Sequence, residues 1–365
     1  MTGRLFPSLA AVGLLVAGCD ADPPDEPAFP PQADNSSAAV AADSASSEMP
    51  SGEAEIFDGV IVAYDRTLVP VKYRKIGDLA VVGGDMVIGT HGEMQQRMTL
   101  LNDLRDNVLA SEGSAPQRAA LARVAHDAEA RGERLLGPAF EARVIRILGW
   151  GTVDPVWPYR EVGYEFDASI PPGPRRDTIL KGIDLWNAQA PTRLIPAPQL
   201  DPAIRARQVT ILFADHKDPD DVRSCMSWVG YHPDGGQQKL YLNPPCMPGN
   251  VAHELGHAFG LHHEHQRLDR GAFIKVNAAV PSDTSNYGIL KGRALSPHDL
   301  CSIMHYRASL TSPPWFTVTA SGAAALKACV TGLRPECQAR TADHQVGQRC
   351  QLSPSDVQSL KQLYP

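Results

Sequence analysis

The chain has 365 residues, 43% of them hydrophobic and 21% charged, so it is long enough for one large or two smaller globular domains with ordinary cores. Its formal net charge of -7 and its pI near 5.9 give it no broad cationic surface to attract a phosphate backbone. We therefore expect no nucleic-acid partner.

The N-terminus has the plan of an export signal. A single cation, Arg4, precedes the mostly apolar run 5–16, and small residues then lead into Cys19. This ending resembles the lipobox of bacterial lipoproteins, in which the leader, here residues 1–18, is removed and the new N-terminal cysteine carries a lipid. The sequence predicts an exported protein anchored to the membrane of the bacterial cell envelope through Cys19. A plain signal peptide and a short buried apolar segment are the alternatives.

Two segments separate this leader from the rest of the chain. Residues 19–55 are rich in Pro, Ala, Ser and acidic residues, and we expect a disordered tether because this composition cannot bury enough apolar surface to fold. Residues 56–150 have the pattern of short strands punctuated by Gly and Asp and then, from Glu93, of helices. This second segment has the size of a pro-segment.

Residues 151–365 combine both kinds of secondary structure. A strand-like run at 162–166, an amphipathic helix over 179–190 and a short apolar strand at 209–213 come before a second helix that carries a histidine motif. Strands and helices in this order predict an α+β domain.

Five of the twelve histidines lie between residues 253 and 265. The spacing His253-Glu254-x-x-His257-x-x-Gly260-x-x-His263 places two imidazoles on one helix face. Gly260 can end that helix in a left-handed conformation, which lets the chain turn back and His263 reach the same ion. Three imidazoles and one open position suit one catalytic Zn²⁺, and the Glu254 carboxylate can reach a water on that metal as general base.

A bare His-Glu-x-x-His pattern also occurs in surface helices, so the prediction of a metal site depends on the extended spacing. His262 and His265 fall outside the three-ligand register. We expect them to be exposed or to lie behind the ligands without touching the metal.

The extended motif is that of the metzincins, and its surroundings narrow the resemblance. The run 263–270, His-Glu-His-Gln-Arg-Leu-Asp-Arg, is similar to the astacin branch, although Gly271 replaces the acid that follows in the family. The run 302–306, Ser-Ile-Met-His-Tyr, resembles the astacin Met-turn. Because these motifs are independent, residues 157–364 are identified as similar to the astacin family.

The resemblance implies a metzincin-like fold, with a twisted mixed sheet, two long helices and a largely irregular C-terminal subdomain. It implies that Met304 lies beneath the metal and that Tyr306 is a movable additional ligand, which later donates a hydrogen bond to the oxyanion. It also makes Ser227 and Trp228 part of an edge strand that could pair with an extended substrate. Packing of Trp228 in the core is the alternative.

The function implied is zinc-dependent hydrolysis of internal peptide bonds in proteins or peptides by a monomeric endopeptidase. One alternative is a cell-surface binding module that keeps a zinc-stabilised fold without activity. Another is a peptidase of a different metzincin branch.

Six cysteines remain after Cys19, and an even number favours disulfides in an exported chain. The resemblance implies a bridge between Cys225 and Cys246. The other four lie mostly in an insertion at about 308–350 without a family counterpart. They can pair in three ways, which the sequence leaves open: Cys301, Cys329, Cys337 and Cys350.

Residues 82–86, Val-Gly-Gly-Asp-Met, resemble the astacin pro-segment motif in which an aspartate caps the zinc. This would make Asp85 a metal ligand of a latent form; a simple hairpin turn is the alternative. In the latent reading, a cut between Asp85 and Trp157 activates the enzyme and frees it from the lipid. The new N-terminus would then fold inward toward Glu264.

Overall fold

A nine-stranded mixed sheet dominates the part of the chain that the computed structural model describes. The described residues are 55–62, 68–105, 156–216, 225–232, 237–277, 284–290, 292–307, 314–338 and 346–365. The predicted leader, the lipid site Cys19, nearly all of the tether and most of the predicted helices after residue 105 lie outside them. Among the described residues, no helix is both long and apolar enough to cross a bilayer.

The N-terminal part of the sheet is an antiparallel meander followed by a helix. The meander consists of β1 (Ile56–Val62), β2 (Leu68–Ile76), β3 (Leu79–Val82) and β4 (Met86–Thr90), and α1 (His91–Arg105) packs against it. Thr90 and Glu93 form a capping box at the start of α1. Glu93 N donates to Thr90 Oγ1 at 3.2 Å, and Thr90 N donates to Glu93 Oε2 at 2.8 Å. The strands predicted within residues 56–89 are present.

The remaining five strands belong to the second half of the chain. They are β5 (Glu161–Phe166), β6 (Arg193–Pro196), β7 (Ile211–Ala214), β8 (Cys225–Trp228) and β9 (Gln238–Leu242). The strand order is β1-β2-β3-β4-β8-β9-β7-β5-β6, in which β8 is antiparallel to β9 and β9, β7, β5 and β6 run parallel. Together with the helices, this mixed sheet confirms the predicted α+β class.

Strand β8 is not at an edge in the intact chain. It is parallel to β4, with Ser227 N donating to Asp85 O at 3.0 Å and Val229 N donating to Val87 O at 3.3 Å. Ser227 is fully buried, and Trp228 packs against an apolar cluster that includes Val87. In the intact chain the N-terminal meander therefore covers the side of β8 on which an open edge is expected. Without β1–β4, β8 would be the edge strand of the remaining sheet.

Two helices pack closely beneath the sheet. They are α2 (Pro174–Asn187) and α4 (Pro248–Ala258), separated in the chain by the short α3 (Pro202–Arg205). Gly182 allows their close approach, since a Cβ there would lie 2.4 Å from Val251 Cβ. The predicted apolar face of α2 is buried, except that Ala190 lies past the helix end.

The C-terminal part is more irregular. It contains α5 (Thr284–Tyr287), α6 (Ala320–Val330), α7 (Pro354–Leu363) and a two-stranded sheet of β10 (Ile274–Val276) and β11 (Phe316–Val318). Disulfides join Cys225 to Cys246, Cys301 to Cys329 and Cys337 to Cys350. Of the three pairings open for the last four cysteines, the structure thus has the one that links neighbours in sequence.

Candidate metal centre

The end of α4 directs the chain back toward its own histidines. Gly260 has a φ of 93°, a left-handed conformation that strains any residue with a Cβ. Its N–H donates to His257 O at 2.8 Å, and Leu261 N donates to Gly256 O at 2.9 Å. This reversal brings His263 to the imidazoles of α4.

Each of the three imidazoles is oriented from behind by an oxygen atom near Nδ1. The pairs are His253 with Ile303 O at 2.7 Å, His257 with Leu261 O at 2.7 Å and His263 with Gln266 Oε1 at 3.1 Å. If Nδ1 carries the proton in each ring, Nε2 is left as the free lone pair for a metal. The His263 Nε2 atom lies 3.2 Å from that of His257 and 3.3 Å from that of His253.

The Asp85 carboxylate completes this cluster. It lies 3.1 Å from His263 Nε2, 3.2 Å from His253 Nε2 and 3.6 Å from His257 Nε2. Four tetrahedral ligand atoms at 2.0–2.1 Å from a zinc ion stand about 3.3 Å apart. The four residues, all buried, therefore fit zinc.

The protonation states expected from their surroundings also suit a metal site. Burial lowers the pKa of His257 to about 4 and holds the pKa of His253 well below its ordinary value. Burial acts to raise the pKa of Asp85, but the nearby imidazoles, above all His263, outweigh it and lower that pKa. Neutral imidazoles and an ionised carboxylate are the forms that bind metal.

Glu254 lies next to the first histidine and is 1% exposed. Its Oε2 has no hydrogen-bond partner among the described residues. Burial, followed by the charge of Asp85, raises its pKa well above the usual range. The side chain is thus close to the cluster without belonging to it.

Met304 packs directly against α4. A Cβ at Gly256 would lie 2.3 Å from Met304 Sδ, so only glycine leaves room for this contact one residue before His257. Gly256 was not singled out from the sequence, although its place inside the motif is a signal that could have identified it.

Tyr306 contacts the turn that carries Asp85. Its hydroxyl donates to Gly83 O. The glycines of this turn have φ values of 67° and 85°, and a Cβ at Gly84 would lie 2.8 Å from the Tyr306 oxygen. Asp85 therefore lies in the donor cluster and also follows a glycine turn between β3 and β4, so the hairpin turn and the metal-ligand prediction do not exclude each other.

The two histidines outside the ligand register differ from one another. His265 is fully buried, stacks on Tyr306 at a ring distance of 4.1 Å and has Nε2 3.0 Å from Asn286 O. For His265 the exposed alternative is wrong, and it lies behind the ligands. His262 is half-buried. Neither belongs to the donor cluster.

Glu264 borders a cavity of about 310 Å³. Its carboxylate lies 3.2 Å from Arg267 Nη1, and burial raises its pKa to about 8. The cavity is also lined by the Met-turn residues Ser302 and Met304 and by α7.

The model of the Astacin peptidase family matches residues 151–365, more than half of the chain. The chain belongs to the astacin family. The zinc metalloproteinase dpy-31 of Haemonchus contortus is 32% identical over 162 residues, which cover 40% of this chain and 25% of that protein. The astacin-like metalloendopeptidase of Mus musculus is 34% identical over 148 residues, 38% of this chain and 29% of that protein.

The present chain thus spans only about a quarter of these curated relatives. Among solved structures, High choriolytic enzyme 1, a hatching enzyme zinc-protease from Oryzias latipes, matches with a TM-score of 0.41 and 23% identity. That match covers 56% of this chain and 88% of the hatching enzyme chain. Family membership and the donor geometry together make zinc the metal of this astacin site.

Proposed function

We propose that this chain is a zinc-dependent endopeptidase that hydrolyses internal peptide bonds of proteins or peptides and is held latent by Asp85. The observation that carries the proposal is the convergence of three imidazole Nε2 atoms with a carboxylate from a separate part of the chain. His253, His257 and His263 are the permanent ligands. Asp85 takes the position that the attacking water needs.

Zinc bound there supplies a Lewis acid that lowers the pKa of water and polarises the scissile carbonyl. Glu254 acts as general base: its unpartnered Oε2 takes a proton from the attacking water and later returns it to the leaving nitrogen. Tyr306 donates to Gly83 O in the intact chain and, once Gly83 has left, donates its hydroxyl hydrogen to the oxyanion instead.

Substrate binding uses the same surface that β4 covers. With the meander removed, the N–H groups of Ser227 on β8 and of Val229 directly after it become available to an extended peptide, which adds to the sheet as a new strand. The Asp85 turn and an extended substrate therefore compete for the metal and for β8.

Activation requires a cut between Asp85 and Trp157. Trp157 is 2% exposed, with its Nε1 donating to Ala258 O at 2.7 Å, so the catalytic domain is already fixed at this residue. The new N-terminus turns inward toward Glu264, whose cavity is large enough to receive a chain end. Met304, Gly260 and Glu264 are structural residues in this account.

Residues 1–18 are proposed as the leader, 19–55 as the tether and 56–150 as the pro-segment. The protein is exported to the bacterial cell envelope as a monomer, with a lipid on Cys19, and the activating cut also releases it from that anchor. Three disulfides within the described residues support an oxidising compartment.

A closed set of four protein ligands also fits a structural zinc in an inactive binding module. An assay of a shortened protein that begins near Trp157 distinguishes the endopeptidase from the binding module. The proposal expects this form to cleave a peptide library, to lose activity to a strong chelator and to regain it with one equivalent of zinc. Zinc-loaded, folded protein of this form without peptidase activity would favour the binding module.

A further inference from the structure

Arg349 is a buried cation behind the metal centre, directly before Cys350 in the loop that the Cys337–Cys350 disulfide closes. Its residue is 4% exposed. Nη1 donates to three backbone carbonyls, Ile303 O at 2.7 Å, His305 O at 3.0 Å and Gln348 O at 3.1 Å. The guanidinium therefore holds the two carbonyls that flank Met304 in the Met-turn.

One of these carbonyls also orients a metal ligand. Ile303 O lies 2.7 Å from His253 Nδ1 and thus accepts from both His253 and Arg349. A carbonyl has two lone pairs, so both contacts can form together. Displacement of the Ile303 carbonyl would turn the His253 ring and move Nε2 away from the metal position.

The backbone of Arg349 also contacts the helix that carries His253. A Cβ at Gly249, in the first turn of α4, would lie 1.8 Å from Arg349 O. Arg349 thus contacts α4 with its backbone and the Met-turn with its side chain. Both ends of the contact between His253 and Ile303 are fixed by one residue.

We propose that Arg349 is a positioning residue of the metal centre, which holds the Ile303 carbonyl and through it the His253 ring in the orientation that retains zinc. This inference rests on the proposed function only in that the metal is zinc. It extends the site to a residue about 90 positions from the ligands in the chain.

The test measures zinc retention in the full chain, without any peptide substrate. Arg349→Met removes the charge and the donors but keeps an unbranched stem, and Arg349→Lys restores a cation with three donors that is one bond shorter. Arg334→Met is the matched control, because Arg334 donates to Cys350 O and Gln351 Oε1 in the same region without contacting the Met-turn. The readouts are the rate of zinc transfer to a chromogenic chelator, the visible spectrum of the cobalt(II) form and the thermal midpoint.

We expect Arg349→Met to release zinc about 10- to 100-fold faster, which is the range found for residues that orient metal ligands. The spectrum of its cobalt(II) form should also shift. Arg349→Lys should recover most of the loss, and Arg334→Met should release zinc at the wild-type rate even where its thermal midpoint falls. If Arg349→Met does not fold, a Lys variant with wild-type retention supports the proposal.

Three results would overturn this role. They are wild-type retention in folded Arg349→Met, equal acceleration in Arg334→Met, and a folded Lys variant that loses zinc as fast as the Met variant. Wild-type chain that binds no zinc would contradict the proposed function as well.

Discussion

The N-terminal meander contributes one residue to the donor cluster, Asp85 in the turn between β3 and β4. Helix α4 and the segment after it contribute three histidines, and each of these rings contacts an oxygen atom through Nδ1. Asp85 lies between strands β3 and β4, directly after the Gly83–Gly84 turn. Its position is fixed by the pairing of β4 with β8 and by apolar clusters that the meander shares with Met226, Val229 and Leu290. The histidines instead each have an oxygen at Nδ1 that belongs to the second half of the chain. We therefore expect the three-histidine site to persist when the meander is removed.

The largest expected effect is a loss of turnover on substitution of Glu254, which lies on α4 beside the histidines. Glu254→Ala, in protein that begins near Trp157, should lower turnover by about 10²- to 10⁴-fold, because the attacking water loses its base. Zinc content should stay at one per chain, since the three imidazoles remain. Steady-state kinetics with metal analysis measures both. A variant with wild-type turnover would remove Glu254 from the mechanism.

Tyr306→Phe tests the residue that belongs to both regions. In the same shortened protein, loss of one oxyanion donor should lower kcat by about 10²-fold and change KM much less. In the full chain the same change also removes the bond to Gly83 and should loosen the latent form. An unchanged kcat in the shortened protein would make Tyr306 purely structural.

Gly84→Ala weakens the meander's contact alone. A non-glycine residue at a φ of 85° costs about 1–2 kcal/mol, and the added Cβ would lie 2.8 Å from Tyr306 oxygen. Activity of the uncut chain should rise by about 5- to 30-fold, the population change that this free energy allows. Gly92→Ala is the control, because a Cβ at that position in α1 contacts nothing within 4 Å. Equal activity in the two variants would contradict the account of the turn.

The last effect lies outside the metal centre and concerns stability in acid. His298 lies flat against Phe273 at 4.7 Å, and burial lowers its pKa from 6.5 to about 4. The unfolded chain therefore binds this proton first as the pH falls, so stability is complete above pH 6.5 and is lost toward pH 4. His298→Phe should reduce the loss of unfolding free energy between pH 7 and pH 5 by about 2 kcal/mol. Denaturant titrations at both pH values measure it, and identical losses in the two proteins would contradict it.

The sequence predicted those features of the fold that depend on neighbouring residues in the chain. The α+β class, the strands of the meander, the buried face of α2 and the left-handed Gly260 all follow from spacing or from a single residue type. The histidine motif and the Val-Gly-Gly-Asp-Met segment predicted which four residues supply the donor atoms. The distances between those atoms could not be predicted from the spacing of the residues.

Features that depend on contacts between distant parts of the chain were missed. The edge position of β8 was taken from a resemblance to the catalytic domain, and nothing in the sequence indicates that β4 pairs with it. Gln266 lies beside His263 Nδ1, and Arg349 donates to the Ile303 carbonyl behind His253. Neither contact belongs to a periodic pattern in the sequence. The pairing of Cys301 with Cys329 required the three-dimensional path of the insertion.

The most direct measurement compares peptidase activity of three uncut full-length proteins, all zinc-loaded: wild type, Asp85→Ala and Asp78→Ala. Asp78 lies in the exposed turn between β2 and β3 of the same meander and is not part of the donor cluster. We predict that wild type and Asp78→Ala are latent, and that Asp85→Ala is active and becomes inactive when Glu254→Ala is added. Equal activity in all three chains, with zinc bound, would contradict the claim that Asp85 closes this metal centre.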